Sequence, residues 1–177
     1  GGKPIYVQLK DPNYNVDWSE VKKVMTRRTK MIVINTPHNP TGAVLSSQDM
    51  VELERLTSGT DIIILSDEVY EHILFDGYEH QSVARFPKLA ERSLLIYSFG
   101  KTLHATGWKI GYVLGAKNLM KEFRKVHQFQ VFAVNHPIQH ALADFISNEK
   151  NYKQISSVYE QKRDFFLDAL KSSRFKF

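Results

Sequence analysis

The sequence predicts an α/β domain built on a largely parallel sheet. Short apolar runs rich in β-branched residues alternate with segments of helical periodicity, an alternation typical of such sheets. The clearest runs are Met31–Ile34, Ile62–Leu65 and Leu94–Tyr97. The first two are continuous rather than alternating in hydrophobicity, which indicates strands covered on both faces.

The beginning of the chain is predicted to contain a strand and a helix before the first of these runs. Pro4–Leu9 has the composition of a strand. Asp17 is followed three residues later by Glu20, the spacing that marks a helix N-terminus. We expect the helix that starts there to continue to about Arg28.

The remaining elements follow from the same signals. A second helix is predicted to begin at Ser46 or Ser47 and to run through Leu56, with Gly59 closing it. Trp108–Leu114 predicts one more strand, and the chain after it is mostly helical. The long helix predicted at Tyr152–Ser172 has apolar positions expected to face a core: Ile155, Val158, Tyr159, Phe165, Phe166 and Leu170.

Composition narrows the classes of protein. The 177 residues are 42% hydrophobic, enough for a real core in one soluble domain. The net charge of +5 comes from Lys and Arg interleaved with acids, which argues against nucleic-acid binding. The chain has no cysteine, no apolar run long enough to cross a membrane and no signal-peptide pattern. A cytoplasmic protein fits these observations best.

The two ends of the sequence suggest a part of a larger protein. The chain opens on Gly1-Gly2 without an initiator Met, and a new strand is predicted to start within Arg174–Phe177. We therefore expect further segments outside these 177 residues.

Polar side chains follow each of the three apolar runs. Asn39 follows the first, Asp67 and Tyr70 follow the second, and Ser98 and Lys101 follow the third. Ligands of parallel α/β sheets bind beyond the carboxyl ends of the strands, which makes these residues candidates for a site.

Each candidate also has an ordinary structural explanation. A lone lysine is usually a solvated side chain, and a carboxylate such as Asp67 at a strand end commonly caps the next turn. Asn39-Pro40 is a turn signal, although an Asn-Pro bond can also be cis and direct the amide toward the strand ends. His136 and His140 have the spacing of a metal pair but no third ligand in a metalloprotease pattern, so we expect no metal.

Four segments together carry a family resemblance: Asn35–Gly42, Ser66–Tyr70, Ser98–Thr102 and Thr106–Tyr112. In this order and at these spacings the chain resembles the fold type I pyridoxal-phosphate aminotransferases, most closely the methionine and kynurenine aminotransferase subgroup. The resemblance covers essentially the whole chain, but enzymes of that family are roughly twice as long and have a further small domain.

The resemblance implies a role for each residue around a pyridoxal 5'-phosphate cofactor. Lys101 would bind the cofactor covalently and then move the proton at the substrate Cα. Asp67 would pair with the pyridine nitrogen and keep it protonated. Tyr70 and Asn39 would both hydrogen-bond the phenolic oxygen of the ring.

Ser98 and Lys109 are the residues that the resemblance places on the cofactor phosphate. Many family members have Arg where this chain has Lys109. A lysine keeps the positive charge but replaces a bidentate fork by a point charge.

The resemblance also implies a fold and an activity. It implies a three-layer αβα domain of the PLP-transferase type, with residues 1–150 forming part of the cofactor-binding large domain. Residues 151–177 would form a helix that leads to a small domain outside this chain. The implied activity is transfer of an amino group between an amino acid and a 2-oxo acid, in an enzyme that is a homodimer at full length. A carbon–sulfur lyase of the same fold and a catalytically silent fragment remain alternatives.

Overall fold

A four-stranded sheet lies at the centre of the computed structural model, which describes residues 1–175. Helices and strands alternate along most of the chain, and short 3-10 turns occur at Val83–Arg85, Thr106–Trp108 and Glu149–Asn151. In chain order the elements are α1 (Trp18–Val24), β1 (Met31–Asn35), α2 (Ser47–Thr57), β2 (Ile63–Asp67), α3 (Pro87–Ala90), β3 (Ser93–Ser98), α4 (Phe99–Thr102), β4 (Gly111–Gly115), α5 (Lys117–Gln130), α6 (His136–Ile146) and α7 (Ile155–Ala169).

The strands lie side by side in the order in which the chain forms them. β1 pairs in parallel with β2, and β2 pairs in parallel with β3, whereas β4 returns antiparallel beside β3. The predicted α/β class with a mostly parallel sheet is therefore confirmed. The predicted strand at Trp108–Leu114 begins later, at Gly111, because residues 106–108 form a 3-10 turn.

One face of the sheet carries the hydrophobic core. Ile34, Ile64 and Leu95 project from the three parallel strands toward Met50 and Leu53 of α2, which are fully buried. The segment between β2 and β3 closes the same core. It contributes the buried side chains Val83 and Leu89.

The helix starts predicted from sequence are confirmed. Asp17 caps α1 by accepting hydrogen bonds from the backbone N–H groups of Ser19 and Glu20, at 3.0 and 3.2 Å. Ser46 and Asp49 form a reciprocal capping box at the start of α2. Because Asp49 also accepts a 2.7 Å bond from the Trp18 indole, the cap of α2 is tied to α1. α1 ends at Val24, short of the predicted Arg28.

Two strand predictions are wrong. Pro4–Leu9 forms no strand, and Ile5 and Tyr6 are 60% and 86% exposed. No neighbouring strand pairs with it among residues 1–175, so β composition alone does not order it in a sheet. β1 is not covered on both faces, because it lies at the sheet edge and its Met31 and Val33 are 45% and 63% exposed.

The long helix predicted near the C-terminus is confirmed as α7, although it is shorter than Tyr152–Ser172. Ile155 is buried as expected. Val158, Phe165 and Phe166 are largely exposed, so the prediction that they face a core is wrong for the described chain. The strand predicted within Arg174–Phe177 falls partly on residues 176–177, outside the described residues. In the part of the chain that is described, we find no helix with the length and apolar character to cross a membrane.

Polar contacts, rather than apolar packing, attach α7 to the segment that follows β2. Arg163 forms a bidentate ion pair with Asp76, with N–O distances of 2.5 and 2.9 Å. The backbone N–H of Asp76 donates to Glu160 at 2.6 Å, and the Ser156 hydroxyl donates to the carbonyl of Leu74. These polar contacts, with residues 74 and 76 beyond the end of β2, contribute to the orientation of α7.

The close approach of β4 to β3 at Gly111 gives a stability prediction. A Cβ added at Gly111 would lie 2.4 Å from the Tyr97 carbonyl oxygen, a backbone atom that cannot move aside. We expect Gly111→Ala to lower the free energy of unfolding by about 1–3 kcal/mol, as overpacking does elsewhere. Urea denaturation measures it.

Gly107→Ala is the matched control, because a Cβ at Gly107 would have no atom within 4 Å. That variant should stay within about 0.5 kcal/mol of the unmodified protein. Equal stabilities for the two variants would show that β4 does not approach β3 as closely as described.

Candidate active site

The candidate site lies beyond the carboxyl ends of the parallel strands. Asn35 at the end of β1 is directly opposite Asp67 at the end of β2, and Asp67 is opposite Ile96 of β3. Ser98, two residues beyond Ile96, projects to the same face as Asp67 because side chains alternate along a strand. The register therefore gathers Asn35, Asp67 and Ser98 at one edge and on one face of the sheet.

Asn39 and Tyr70 come together, as their predicted common role requires. The Asn39 side-chain amide donates to the Tyr70 hydroxyl at 3.4 Å. Asn35 holds the turn that carries Asn39, since its side-chain oxygen accepts from the Asn39 backbone N–H at 2.9 Å. Its side-chain amide donates to the Asp67 carbonyl at 3.1 Å. The Asn39–Pro40 peptide bond is cis.

Lys101 projects from the short helix α4 toward the same group. Its ammonium nitrogen lies 5.5 Å from the centroid of the Tyr70 ring. α4 is held tightly, because Gly100 is buried and a Cβ there would approach Thr106 Cα to 3.0 Å. The Thr106 hydroxyl also donates to the Gly100 carbonyl at 2.8 Å.

Asp67 caps the turn that follows β2, as its ordinary structural explanation predicts, but it uses only one of its two carboxylate oxygens. Its Oδ1 accepts from the backbone N–H of Val69 at 3.3 Å. Within residues 1–175 its other carboxylate oxygen forms no hydrogen bond, and the side chain is only partly buried. One oxygen can therefore hold the turn while the other accepts from a ligand.

Ser98 and Lys109 are brought near one another through the β3–β4 pairing. Ser98 pairs with Gly111, two residues after Lys109. The Ser98 hydroxyl makes no capping bond to α4, although Ser98 occupies the N-cap position. Lys109 has a left-handed backbone, with φ of 56°, and is exposed. Lys109 forms no ion pair inside the described range, so its ammonium is available to an anion.

A cluster of titratable side chains lies just behind the site. Burial raises the pKa of Glu71 to about 7, while the charge of His80 acts in the opposite direction. Burial and the nearby Glu71 charge raise the pKa of Tyr112 to about 12. The Tyr112 ring stacks on Tyr97 with centroids 4.8 Å apart, which joins this cluster to β3.

His72 lies beside this cluster, with Nε2 3.7 Å from Glu71 Oε1, and three further histidines have contacts of their own. His104, three residues after Lys101, is hydrogen-bonded to the Tyr159 hydroxyl of α7 at 3.1 Å. His136 and His140 are neighbours on α6 with ring centroids 5.3 Å apart. Residues 1–175 contain no cluster of three or more potential metal ligands.

Two site-forming residues were missed from sequence. Asn35 links Asn39 to Asp67, and its only signal was a polar residue at the last position of an apolar run. Glu68 is completely buried directly after Asp67. The only signal in the sequence was the position of Glu68, a carboxylate between a buried strand and aromatic residues. Most of its hydrogen-bond partners are distant in sequence.

The family profile described as Aminotransferase class I and II matches residues 1–177. Methionine aminotransferase of Escherichia coli K12 is 43% identical over 175 residues, a match that covers 98% of this chain and 45% of that protein. Human kynurenine–oxoglutarate transaminase 1 is 39% identical over 173 residues, covering 91% of this chain and 41% of that protein.

Solved structures agree with these sequence relationships. The crystal structure of an Escherichia coli protein with a methionine aminotransferase function superimposes with a TM-score of 0.91 at 43% identity, over 94% of this chain and 44% of that chain. N-Succinyldiaminopimelate aminotransferase from Mycobacterium tuberculosis gives a TM-score of 0.87 at 31% identity, over 93% and 43% of the two chains.

Fold and site together define an α/β domain of the aminotransferase type. The chain belongs to the class I and II aminotransferase family. It spans less than half the length of the relatives described above.

The raised pKa of Glu71 predicts a pH-dependent stability. The Glu71 carboxyl has a pKa of about 7 in the folded state and 4.5 in the unfolded chain, so the folded state binds its proton more tightly. The contribution of Glu71 to stability therefore falls as the pH rises from about 4.5 to about 7. Glu71→Gln cannot ionise, so its stability relative to the unmodified protein should rise between pH 5 and about 8. The gain should be at most about 3 kcal/mol.

Urea denaturation at several pH values measures the difference. Glu79→Gln is a suitable control, because it makes the same substitution at an exposed glutamate. A constant difference for Glu71→Gln would mean that this carboxyl titrates normally.

Proposed function

We propose that the protein containing this chain is a pyridoxal-phosphate-dependent aminotransferase. It moves an amino group between a methionine-like or aromatic amino acid and a 2-oxo acid. The observation that carries the proposal is the Lys101 amine over the ring of Tyr70, whose hydroxyl Asn39 holds beyond the strand ends. The substrate class is supported by the similarity to methionine aminotransferase and kynurenine–oxoglutarate transaminase.

The side chains present at the strand ends fit pyridoxal phosphate. The cofactor needs an amine for its aldehyde, a carboxylate for its ring nitrogen, neutral donors for its phenolic oxygen, and donors with positive charge for its phosphate. Lys101 and Asp67 supply the first two groups, and the pair Asn39 and Tyr70 supplies the third. When bound, the cofactor supplies an aldehyde carbon and an electron-withdrawing ring.

Lys101 has two tasks in this proposal. Its Nζ would hold the cofactor, which requires an unprotonated amine. As a free amine it would also serve as base and then acid for the proton at the substrate Cα. The amine lies beside the ring of Tyr70, which follows Asp67 by three residues.

Asp67 holds a proton at the ring nitrogen. Its oxygen not engaged with Val69 is the group that accepts this proton's hydrogen bond. A carboxylate there favours the positively charged form of the nitrogen, because opposite charges at close range stabilise each other. The same charge makes the ring a better acceptor of electrons in the transition state.

Asn39 and Tyr70 orient the ring, and Ser98 and Lys109 bind the phosphate. Two neutral donors at one oxygen fix its orientation without adding charge. The Ser98 hydroxyl is free of a capping bond, and the exposed Lys109 lies on the adjoining turn. Lysine serves as a point charge for phosphate, whereas an arginine at this position would bind with two parallel hydrogen bonds.

The proposal extends to the organisation of the whole protein. Residues 1–150 would form part of the cofactor-binding domain, and residues 151–177 would lead toward a small domain. We further propose a homodimer, supported by the exposed apolar side chains Phe129, Val131 and Phe132. A cytoplasmic location remains part of the proposal, and cell fractionation tests it.

Product analysis of the full-length protein tests the type of reaction. With methionine and a 2-oxo acid, an aminotransferase forms equal amounts of a new oxo acid and a new amino acid. A carbon–sulfur lyase would instead release a thiol, ammonia and a 2-oxo acid from methionine alone, without needing a 2-oxo acid as amino acceptor. Thiol release without amino transfer would overturn the proposal.

Lys101→Ala should abolish amino transfer in the full-length enzyme while leaving the fold nearly intact. We expect a loss of at least about a hundredfold in turnover, since proton transfer alone contributes that much. The visible absorbance of lysine-bound cofactor should disappear as well. Turnover, absorbance and circular dichroism are measured together.

Lys121→Ala is the control for Lys101→Ala, because Lys121 is an exposed lysine on α5. It should retain full activity. Turnover of Lys101→Ala near the unmodified rate would remove Lys101 from the covalent role.

Asp67→Asn should reduce turnover far more than cofactor affinity. The amide oxygen can still accept from Val69, so the turn survives, but the amide cannot stabilise a protonated ring nitrogen. The barrier should rise by several kcal/mol, where each ~1.36 kcal/mol is about tenfold in rate. Steady-state kinetics and cofactor titration measure the two effects.

Asp61→Asn, at an exposed position before β2, serves as the control for Asp67→Asn. Normal turnover of Asp67→Asn would leave Asp67 as a turn residue only.

A further inference from the structure

Glu68 is a buried carboxylate for which the proposed reaction has no direct use. It is fully inaccessible to solvent, yet both of its oxygens have two hydrogen-bond partners. Oε1 accepts from the Ser66 hydroxyl at 2.8 Å and from the Val83 backbone N–H at 3.1 Å. Oε2 accepts from the Tyr97 hydroxyl and from His80 Nε2, each at 2.9 Å.

Such an arrangement is costly unless it is completely satisfied, since a buried charge without partners is strongly unfavourable. Burial acts to raise the pKa of Glu68, but the hydrogen bonds from His80 and Ser66 outweigh it and hold the pKa below its usual value. An apolar side chain would fill the same space without this cost.

The four bonds connect three pieces of chain. Ser66 belongs to β2, Tyr97 belongs to β3, and His80 and Val83 belong to the segment that returns from β2 to β3. The backbone N–H of Glu68 adds a bond to the Ile96 carbonyl at 2.9 Å. One side chain thus joins the ends of two parallel strands to the segment between them.

Glu68 and Tyr97 are each adjacent in sequence to a candidate site residue. Glu68 follows Asp67, and Tyr97 precedes Ser98, which starts the turn carrying Lys101. Successive side chains in a strand point to opposite faces. The Glu68–Tyr97 bond therefore lies on the core face, behind the groups that would hold the cofactor.

We propose that Glu68 and Tyr97 are positioning residues of this site, which fix Asp67 relative to Lys101 by joining the ends of β2 and β3 from the core side. This inference rests on the proposed function, in which Asp67 and Lys101 act on opposite parts of the same cofactor and must be held at a fixed distance from each other. A misplacement of about 1 Å between reacting groups can cost about a hundredfold in rate.

Two conservative variants test the proposal in the full-length enzyme. Tyr97→Phe removes only the hydroxyl that reaches Glu68. Glu68→Gln keeps the side-chain shape but replaces one acceptor oxygen by an amide nitrogen that donates, so that atom can no longer accept the two hydrogen bonds made to the oxygen it replaces. Tyr78→Phe and Glu52→Gln are the matched controls, since Tyr78 is 65% exposed and Glu52 forms a surface pair with Arg55.

Four quantities are measured for each variant. They are kcat, KM, the pH midpoint of the visible absorbance of lysine-bound cofactor without substrate, and the urea midpoint of cofactor-free protein. For Tyr97→Phe and Glu68→Gln we expect kcat to fall about tenfold to a hundredfold with little change in KM. The absorbance midpoint should move by about half a pH unit or more. The double variant should lose no more than the worse single variant, because both changes break one connection.

The outcomes separate the inference from the proposed function. Variants that lose urea stability but keep kcat and the absorbance midpoint would overturn the positioning role and leave Glu68 and Tyr97 as core residues. If Glu68→Gln does not fold, Tyr97→Phe alone decides. Absence of cofactor absorbance and amino transfer in the unmodified enzyme would overturn the proposed function, and the inference with it.

Discussion

The parallel register of β1, β2 and β3 is the constraint on which the rest of the site depends. It places Asn35 opposite Asp67 and Asp67 opposite Ile96, so residues far apart in sequence share one edge of the sheet. A shift of one residue in β2 would exchange the faces of Asp67 and Glu68. Asp67 would then lie in the core, and Glu68 would lose its four hydrogen-bond partners.

The division between the two faces explains how chemistry and stability can coexist within a few residues. On the face that carries Asp67, one carboxylate oxygen of Asp67 has no hydrogen bond from residues 1–175, and Lys109 on a neighbouring turn is exposed. Groups of this kind are available to a ligand. On the opposite face, Glu68 and Tyr97 have fixed partners within the protein. Alternation along a strand separates these environments by a single peptide unit.

Much of the fold and site could be predicted from local sequence. The caps at Asp17 and Ser46 act within three residues, and the strand runs carry their own hydrophobic signal. The family resemblance implied that Asn39 and Tyr70 share one oxygen of a cofactor, and the structure brings the two side chains within hydrogen-bond distance of each other. The roles of the six candidate residues remain predictions.

The failures have a common physical origin in partners that are distant in sequence. Pro4–Leu9 has strand composition but no neighbouring strand in residues 1–175, and Val33 is an apolar strand residue at an uncovered edge. Glu68 reads as a surface residue until Tyr97 and His80 are known to surround it. Local sequence gives the structural preferences of a segment, whereas tertiary contacts decide whether it pairs in a sheet and which of its side chains are buried.

The attachment of α7 differs in kind from the packing of the core. Asp76 and Arg163 meet where Asp76 is 61% exposed, and water can replace an exposed ion pair at little cost in free energy. The bidentate geometry nevertheless gives the contact a strong directional preference. α7 is therefore held by an attachment that is specific in orientation and inexpensive to undo. A rotation of this helix would alter two contacts at once, that of Arg163 with Asp76 and that of Tyr159 with His104, three residues after Lys101.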